Sequence, residues 1–165
     1  MANDRNFTFP LYLTDFEASE KLAERIARKL NPGDVIGLSG YLGIGKTAIA
    51  RSIIKTLMTT YNLPQCEIPS PTFTLVEQYD LPPFSIFHID LYRINDVEDI
   101  LELGIEEIFN FGVSLIEWPD RLGKLRPPNM LDLRLFPGED EKSRVIQVEN
   151  SGSWSRQDLD SILNG

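Results

Sequence analysis

The sequence predicts an α/β fold, a sandwich of helices packed on a mixed sheet. Three observations carry that expectation. Amphipathic helical runs alternate with short apolar runs, and one of these, "DVIGLS", leads directly into a glycine-rich turn and another helix. Two pairs of β-favouring runs are also joined by connections short enough to require antiparallel pairing. All 165 residues read as one domain, 1–165, with no repeat, low-complexity tract or dividing linker.

Taken in order, "TDFEASEKLAERIARKL" predicts the first helix. Thr14 and Glu17 fit a capping box, and Ala18, Leu22, Ile26 and Leu30 recur on one face. Asn31-Pro32-Gly33 is the expected stop. A strand follows at Val35–Leu38, then the glycine turn, then a helix from near Lys46 with Ile49, Ile53, Ile54, Leu57 and Met58 at helical spacing. "TFTLVEQYD" and "SIFHIDLY" read as two strands turned by "LPPF". "NDVEDILELGIEEIF" is helical, capped by Asn95 or Asp96, with Ile100, Leu101, Ile108 and Phe109 inward and a break at Gly104. "VSLIEW" is a short buried strand ending in a carboxylate. "LDLRLF" and "RVIQVEN" form a second hairpin, and "SRQDLDSILN" a closing helix.

Composition removes several functions. A formal net charge of −9 disfavours a chain that clamps nucleic acid by itself, and the small basic cluster Arg121, Lys124 and Arg126 reads as a solvated loop. One cysteine, Cys66, and one histidine, His88, leave no disulfide framework and no His/Cys zinc site. No run approaches the roughly 18 apolar residues of a membrane span. The start of the chain lacks a signal-like cleavage site, so the expected compartment is the cytoplasm and no membrane partner is expected.

Gly40, Gly45, Lys46 and Thr47 satisfy G-x-x-x-x-G-K-[ST]. Backbone N–H groups unobstructed by Cβ atoms can curl around phosphate oxygens there, with the positive end of the following helix pointing at them. Lys46 would reach the β- and γ-phosphates, and the Thr47 hydroxyl would coordinate Mg²⁺. No N-K-x-D guanine reader occurs, which favours adenine; Phe16 is placed either to stack on the base or to serve as a core phenylalanine. A Mg²⁺–triphosphate site also needs an acid at a strand end. Asp90 and Glu117 both qualify. Thr72 and Thr74, in a proline-marked loop, stand where a threonine could sense the γ-phosphate.

"GYLGIGKTAIAR", "SPTFTLVEQYD", "IFHIDLYRINDVEDILELGI" and "SLIEWPDRL", in this order, resemble the bacterial TsaE (YjeE) ATPase family over about residues 12–135. The segment 136–165, carrying the C-terminal hairpin and short helix, contributes no motif to the resemblance. The resemblance implies a three-layer α/β/α P-loop domain that binds and slowly hydrolyses ATP with Mg²⁺. It implies a part in forming the threonylcarbamoyl group on adenosine 37 of tRNAs reading ANN codons. The partners would be TsaD and TsaB, with tRNA met only through that complex. Under it, Gly40, Leu42, Gly43, Ile44, Gly45, Lys46 and Thr47 cradle ATP, with Phe16 bordering the adenine. Thr47 and Glu117 hold the metal. Lys46, Asp90 and Thr72 are the catalytic set, Asp90 orienting water and Thr72 acting as the switch; Trp118 completes the "EW" pair. Tyr41 and Ala48 depart from the family pattern, and Ala48 removes a hydroxyl from the phosphate site. Arg93 is the nearest internal arginine, expected in a structural salt bridge. Two rival readings remain at this stage: a small-molecule kinase on the same loop, and a nucleotide-gated adaptor without catalysis.

Overall fold

The computed structural model describes residues 8–150 and 154–165. Seven strands form one sheet: β1 (Thr8–Leu13), β2 (Val35–Ser39), β3 (Val76–Asp80), β4 (Ser85–Asp90), β5 (Gly112–Glu117), β6 (Met130–Pro137) and β7 (Arg144–Asn150), in the spatial order β1-β7-β6-β2-β5-β4-β3. The central four, β6-β2-β5-β4, run parallel, while β3 and the β7–β1 pair are antiparallel additions at the two edges. The sheet is therefore mixed, as expected.

Helices cover it on both sides, giving three layers. On one face α1 (Phe16–Ala27), α2 (Lys46–Thr60) and α5 (Arg156–Asn164) bury Ile36, Leu38, Leu115, Leu133 and Ile146. On the other, α3 (Val97–Glu102), α4 (Ile105–Phe111) and a 3₁₀ segment (Pro119–Leu125) cover Val35, Ile89, Ile116 and Met130. The near-continuous burial of β2 and β5 is what a parallel strand between two helical layers demands. Arg25 ties α1 to α5 by donating from Nε to Ile162 O at 2.6 Å, one of the carbonyls that α5 leaves open at its end. No helix among the described residues is long and apolar enough to cross a membrane.

Several elements differ from their sequence expectation. The cap of α1 is Asp15, whose Oδ1 accepts from Ala18 N at 2.8 Å; Thr14 and Glu17 form no capping box, and Glu17 pairs with Lys21 instead. The helix ends at Ala27, before Asn31-Pro32-Gly33. Residues 72–75 do not extend β3: Leu75 adopts φ +69°, outside the strand region, with its N–H donating to Pro71 O. Gly104 does break the third helical run, entering α4 at φ +73°. The turn it makes leaves Leu101 43% exposed rather than inward. β1 carries no expectation from the sequence; it forms by pairing with β7, more than a hundred residues away.

Candidate functional site

Parallel pairing fixes where the carboxylates arrive. Glu117 lies opposite Leu38 on one side and Asp90 on the other, so both acids stand at the carboxyl ends of adjacent strands on the α2 face. That edge is where open α/β sheets bind ligands.

The glycine turn leaves β2 at the same edge. Gly40, Gly43 and Gly45 have φ of +139°, +80° and +119°. At Gly40 a Cβ would come within 2.8 Å of Leu135 O, so both the dihedral and the space require glycine. Gly45 hands the chain to α2, whose open N–H groups face the turn. Lys46 lies almost wholly buried, its Nζ donating to Gly40 O at 2.6 Å and Tyr41 O at 2.8 Å, and 4.3 Å from the centre of the Trp118 ring. Burial pulls its ammonium below the usual lysine range; the charges of Glu117 and Asp90 oppose that shift.

Thr47 Oγ1 donates to Glu117 Oε2 at 2.9 Å, while Glu117 Oε1 lies 2.8 Å from His88 Nε2. Asp90 Oδ2 accepts from Thr72 Oγ1 at 2.9 Å and its Oδ1 from Tyr92 N at 2.9 Å. Lys46, Thr47, Thr72, Asp90, Glu117 and Trp118 all line one open cavity of about 250 Å³, with Leu42 and Gly43 at its rim. Gly40 contributes the carbonyl under Lys46. Ile44 is buried and holds Arg144, whose Nε donates to Ile44 O at 2.8 Å.

Phe16 is not a core phenylalanine. It is 61% exposed and lines a second cavity of about 230 Å³, largely apolar, which meets the first at Gly45 and Ala48. Arg93 makes no ion pair among the described residues; its guanidinium lies 4.7 Å over the Phe73 ring, correcting the expected salt bridge. Arg126 is not a free loop cation either, since it binds the buried Asp132 at 2.8 Å. His88 and Tyr92 escaped sequence reasoning as site residues. His88 stands two positions before Asp90, on the same strand face, which was the available signal.

Chemically, the cavity offers a helix N-terminus for an anion, a buried ammonium beside it, and a hydroxyl–carboxylate pair for a hard cation. Thr47 donates its proton to Glu117, leaving its lone pairs for a metal, so the donor set fits Mg²⁺. Among the described residues no group of three or more His, Cys, Asp or Glu side chains could hold a metal alone. A cation here would therefore draw its remaining ligands from phosphate and water.

Comparison with known proteins bears on the family and the fold. The family model described as "Threonylcarbamoyl adenosine biosynthesis protein TsaE" matches residues 13–146, which extends past the stretch that carried the resemblance into the start of β7. The tRNA threonylcarbamoyladenosine biosynthesis protein TsaE of Rickettsia felis is 37% identical over 90% of this chain and 85% of its own. That of Rickettsia conorii is 40% identical over 88% and 81%, and that of Bacillus subtilis 32% over 76% and 77%. The crystal structure of Bacillus subtilis YdiB superposes with a TM-score of 0.75 over 97% of both chains, at 22% identity, and supports the fold.

Proposed function

Because the chain belongs to the TsaE family and so to tRNA threonylcarbamoyladenosine biosynthesis, we propose that it is the Mg²⁺-dependent, slowly turning over ATPase of that process. The observation that carries the reading is Thr47 Oγ1 at 2.9 Å from Glu117 Oε2, at the head of α2 and beside three left-handed glycines. A glycine turn alone would grip any anion; the adjoining hydroxyl and carboxylate suit a cation-bearing triphosphate.

In this reading the N–H groups of Gly43 and of Gly45 to Thr47 hold the phosphates, the Ile44 N–H being given to Tyr41 O. Lys46 exchanges the carbonyls of Gly40 and Tyr41 for phosphate oxygens, an exchange that its buried position favours because phosphate neutralises the charge. Bound Mg²⁺ would supply neutralisation of the β- and γ-phosphate charge. Asp90 orients the attacking water, and Thr72, now bonded to Asp90, shifts toward the γ-phosphate as the switch. The adenine lies in the adjoining cavity against Phe16. Ala48, at the junction of the two cavities, contributes no hydroxyl there.

The lining supports slow intrinsic turnover. Among the described residues no arginine faces the cavity of about 250 Å³. An arginine supplied in trans accelerates comparable hydrolyses by about 10³–10⁵. TsaD and TsaB are the proposed partners, tRNA is met through them, and the cytoplasm is the proposed compartment.

The test is phosphate release from Mg-ATP with purified TsaD and TsaB. Lys46→Ala and Glu117→Ala should each abolish it. A Glu117→Ala variant hydrolysing at the wild-type rate would remove the metal assignment, and a phosphorylated nucleoside or nucleotide product would favour a kinase.

A further inference from the structure

Glu117 enters the site with both carboxylate oxygens engaged, one by Thr47 and the other by His88. His88 comes from β4, has no exposed surface, and shares a strand face with Asp90 two residues on. Its other ring nitrogen, Nδ1, is buried with no hydrogen-bond partner among the described residues. Facing a carboxylate, Nε2 serves as the donor of the 2.8 Å contact.

We propose that His88 is a positioning residue for the cation site. It locks the Glu117 side chain in the rotamer that presents Oε2 to Thr47 and the metal, and so sets the Mg²⁺ affinity of the nucleotide complex. This rests on the reading above that Thr47 and Glu117 hold Mg²⁺. Without the Nε2–H donor, the carboxylate is free to rotate away from Thr47, and the site loses a metal ligand. Hydrogen-bonded partners behind metal ligands commonly contribute about 10- to 100-fold in metal affinity.

The experiment is calorimetric titration of the whole protein with a non-hydrolysable ATP analogue carrying a β,γ-imido bridge, over a series of Mg²⁺ concentrations and in EDTA. His88→Phe should raise the half-saturating Mg²⁺ by about 10-fold or more, leaving the metal-free affinity for the analogue within about twofold. His88→Gln puts an amide N–H where Nε2 stood and should recover most of the loss. His88→Asn puts it near Nδ1, too far from Glu117, and should not. If His88→Phe binds Mg²⁺ like wild type, or Asn rescues as well as Gln, the proposal is overturned. Should His88→Phe fail to fold, by circular dichroism, the Gln and Asn variants decide it between them. Loss of Mg²⁺ dependence in the wild-type protein would instead remove the metal reading itself, and this inference with it.

Discussion

Gly40→Ala isolates the geometry on which the phosphate turn depends. At φ +139° a residue with a Cβ is strained, and here that atom would meet Leu135 O at 2.8 Å and Ile44 Cγ2 at 2.9 Å. Neither neighbour yields easily, since one is the backbone of β6 and the other belongs to a buried side chain. Strain and overpacking together make about 3 kcal/mol a reasonable loss. Gly43 is the built-in control: its φ is +80°, but a Cβ there meets nothing within 4 Å. Gly43→Ala should therefore lose only about 1 kcal/mol, for the left-handed dihedral alone. In a domain of this size that means a fall in Tm of roughly 6–12 °C for Gly40→Ala and roughly 2–4 °C for Gly43→Ala. Thermal unfolding followed by circular dichroism reads both. Gly40 also opens the turn proposed to hold the phosphates, so Gly40→Ala should weaken nucleotide binding even at temperatures where it is folded. A Gly40→Ala protein melting no lower than Gly43→Ala would refute the argument that β6 clamps the turn.

Phe16→Ala should weaken ATP binding by about 5-fold or more, the low end for base–aromatic stacking, while leaving inorganic tripolyphosphate binding and Tm almost unchanged; equal ATP affinity would remove Phe16 from the base site. Arg126→Ala strands Asp132, fully buried with Ser39 Oγ at 3.1 Å and Arg134 Nε at 3.9 Å, and should cost about 1–3 kcal/mol in denaturant unfolding because Arg126 is itself partly solvated. Asp34 has its carboxyl raised by burial, so its ionised form opposes folding from the raised range upward and not below the ordinary aspartate range. Asp34→Asn keeps an acceptor for Asn31 N and should be more stable than wild type at pH 7, an advantage that fades as pH falls toward the ordinary aspartate range. A pH-independent difference in unfolding free energy would contradict this.

Much of the site was legible because its signals are local. The glycine turn, the strand before it and the helix after it occupy one continuous stretch, Val35–Thr60, and no distant residue is needed to recognise it. Asp90 and Glu117 were each readable as strand-terminal acids, but that they stand side by side follows from parallel β4–β5 register, which no short-range pattern encodes. His88 was invisible for the same reason: its importance lies in the carboxylate 29 residues later that it touches. β1 is the clearest case in the fold. Its pairing partners lie in β7, and a strand whose ladder is supplied from so far along the chain carries little local signal beyond a short apolar run. The cap of α1 went to Asp15 rather than Thr14 because a carboxylate accepts the Ala18 N–H more strongly than a hydroxyl and also complements the helix end. Arg93 was expected to find an acid and instead covers Phe73, an aromatic 81% exposed beside the Thr72 loop.

The most direct test of the account is calorimetry of the protein alone with ATP, with and without Mg²⁺, repeated on Thr47→Ala. Saturable binding that tightens with Mg²⁺ in the wild type, and loses that tightening in Thr47→Ala, is the expected result. Absence of heat with adenine nucleotide under either condition, or Mg²⁺ enhancement undiminished in Thr47→Ala, would contradict it.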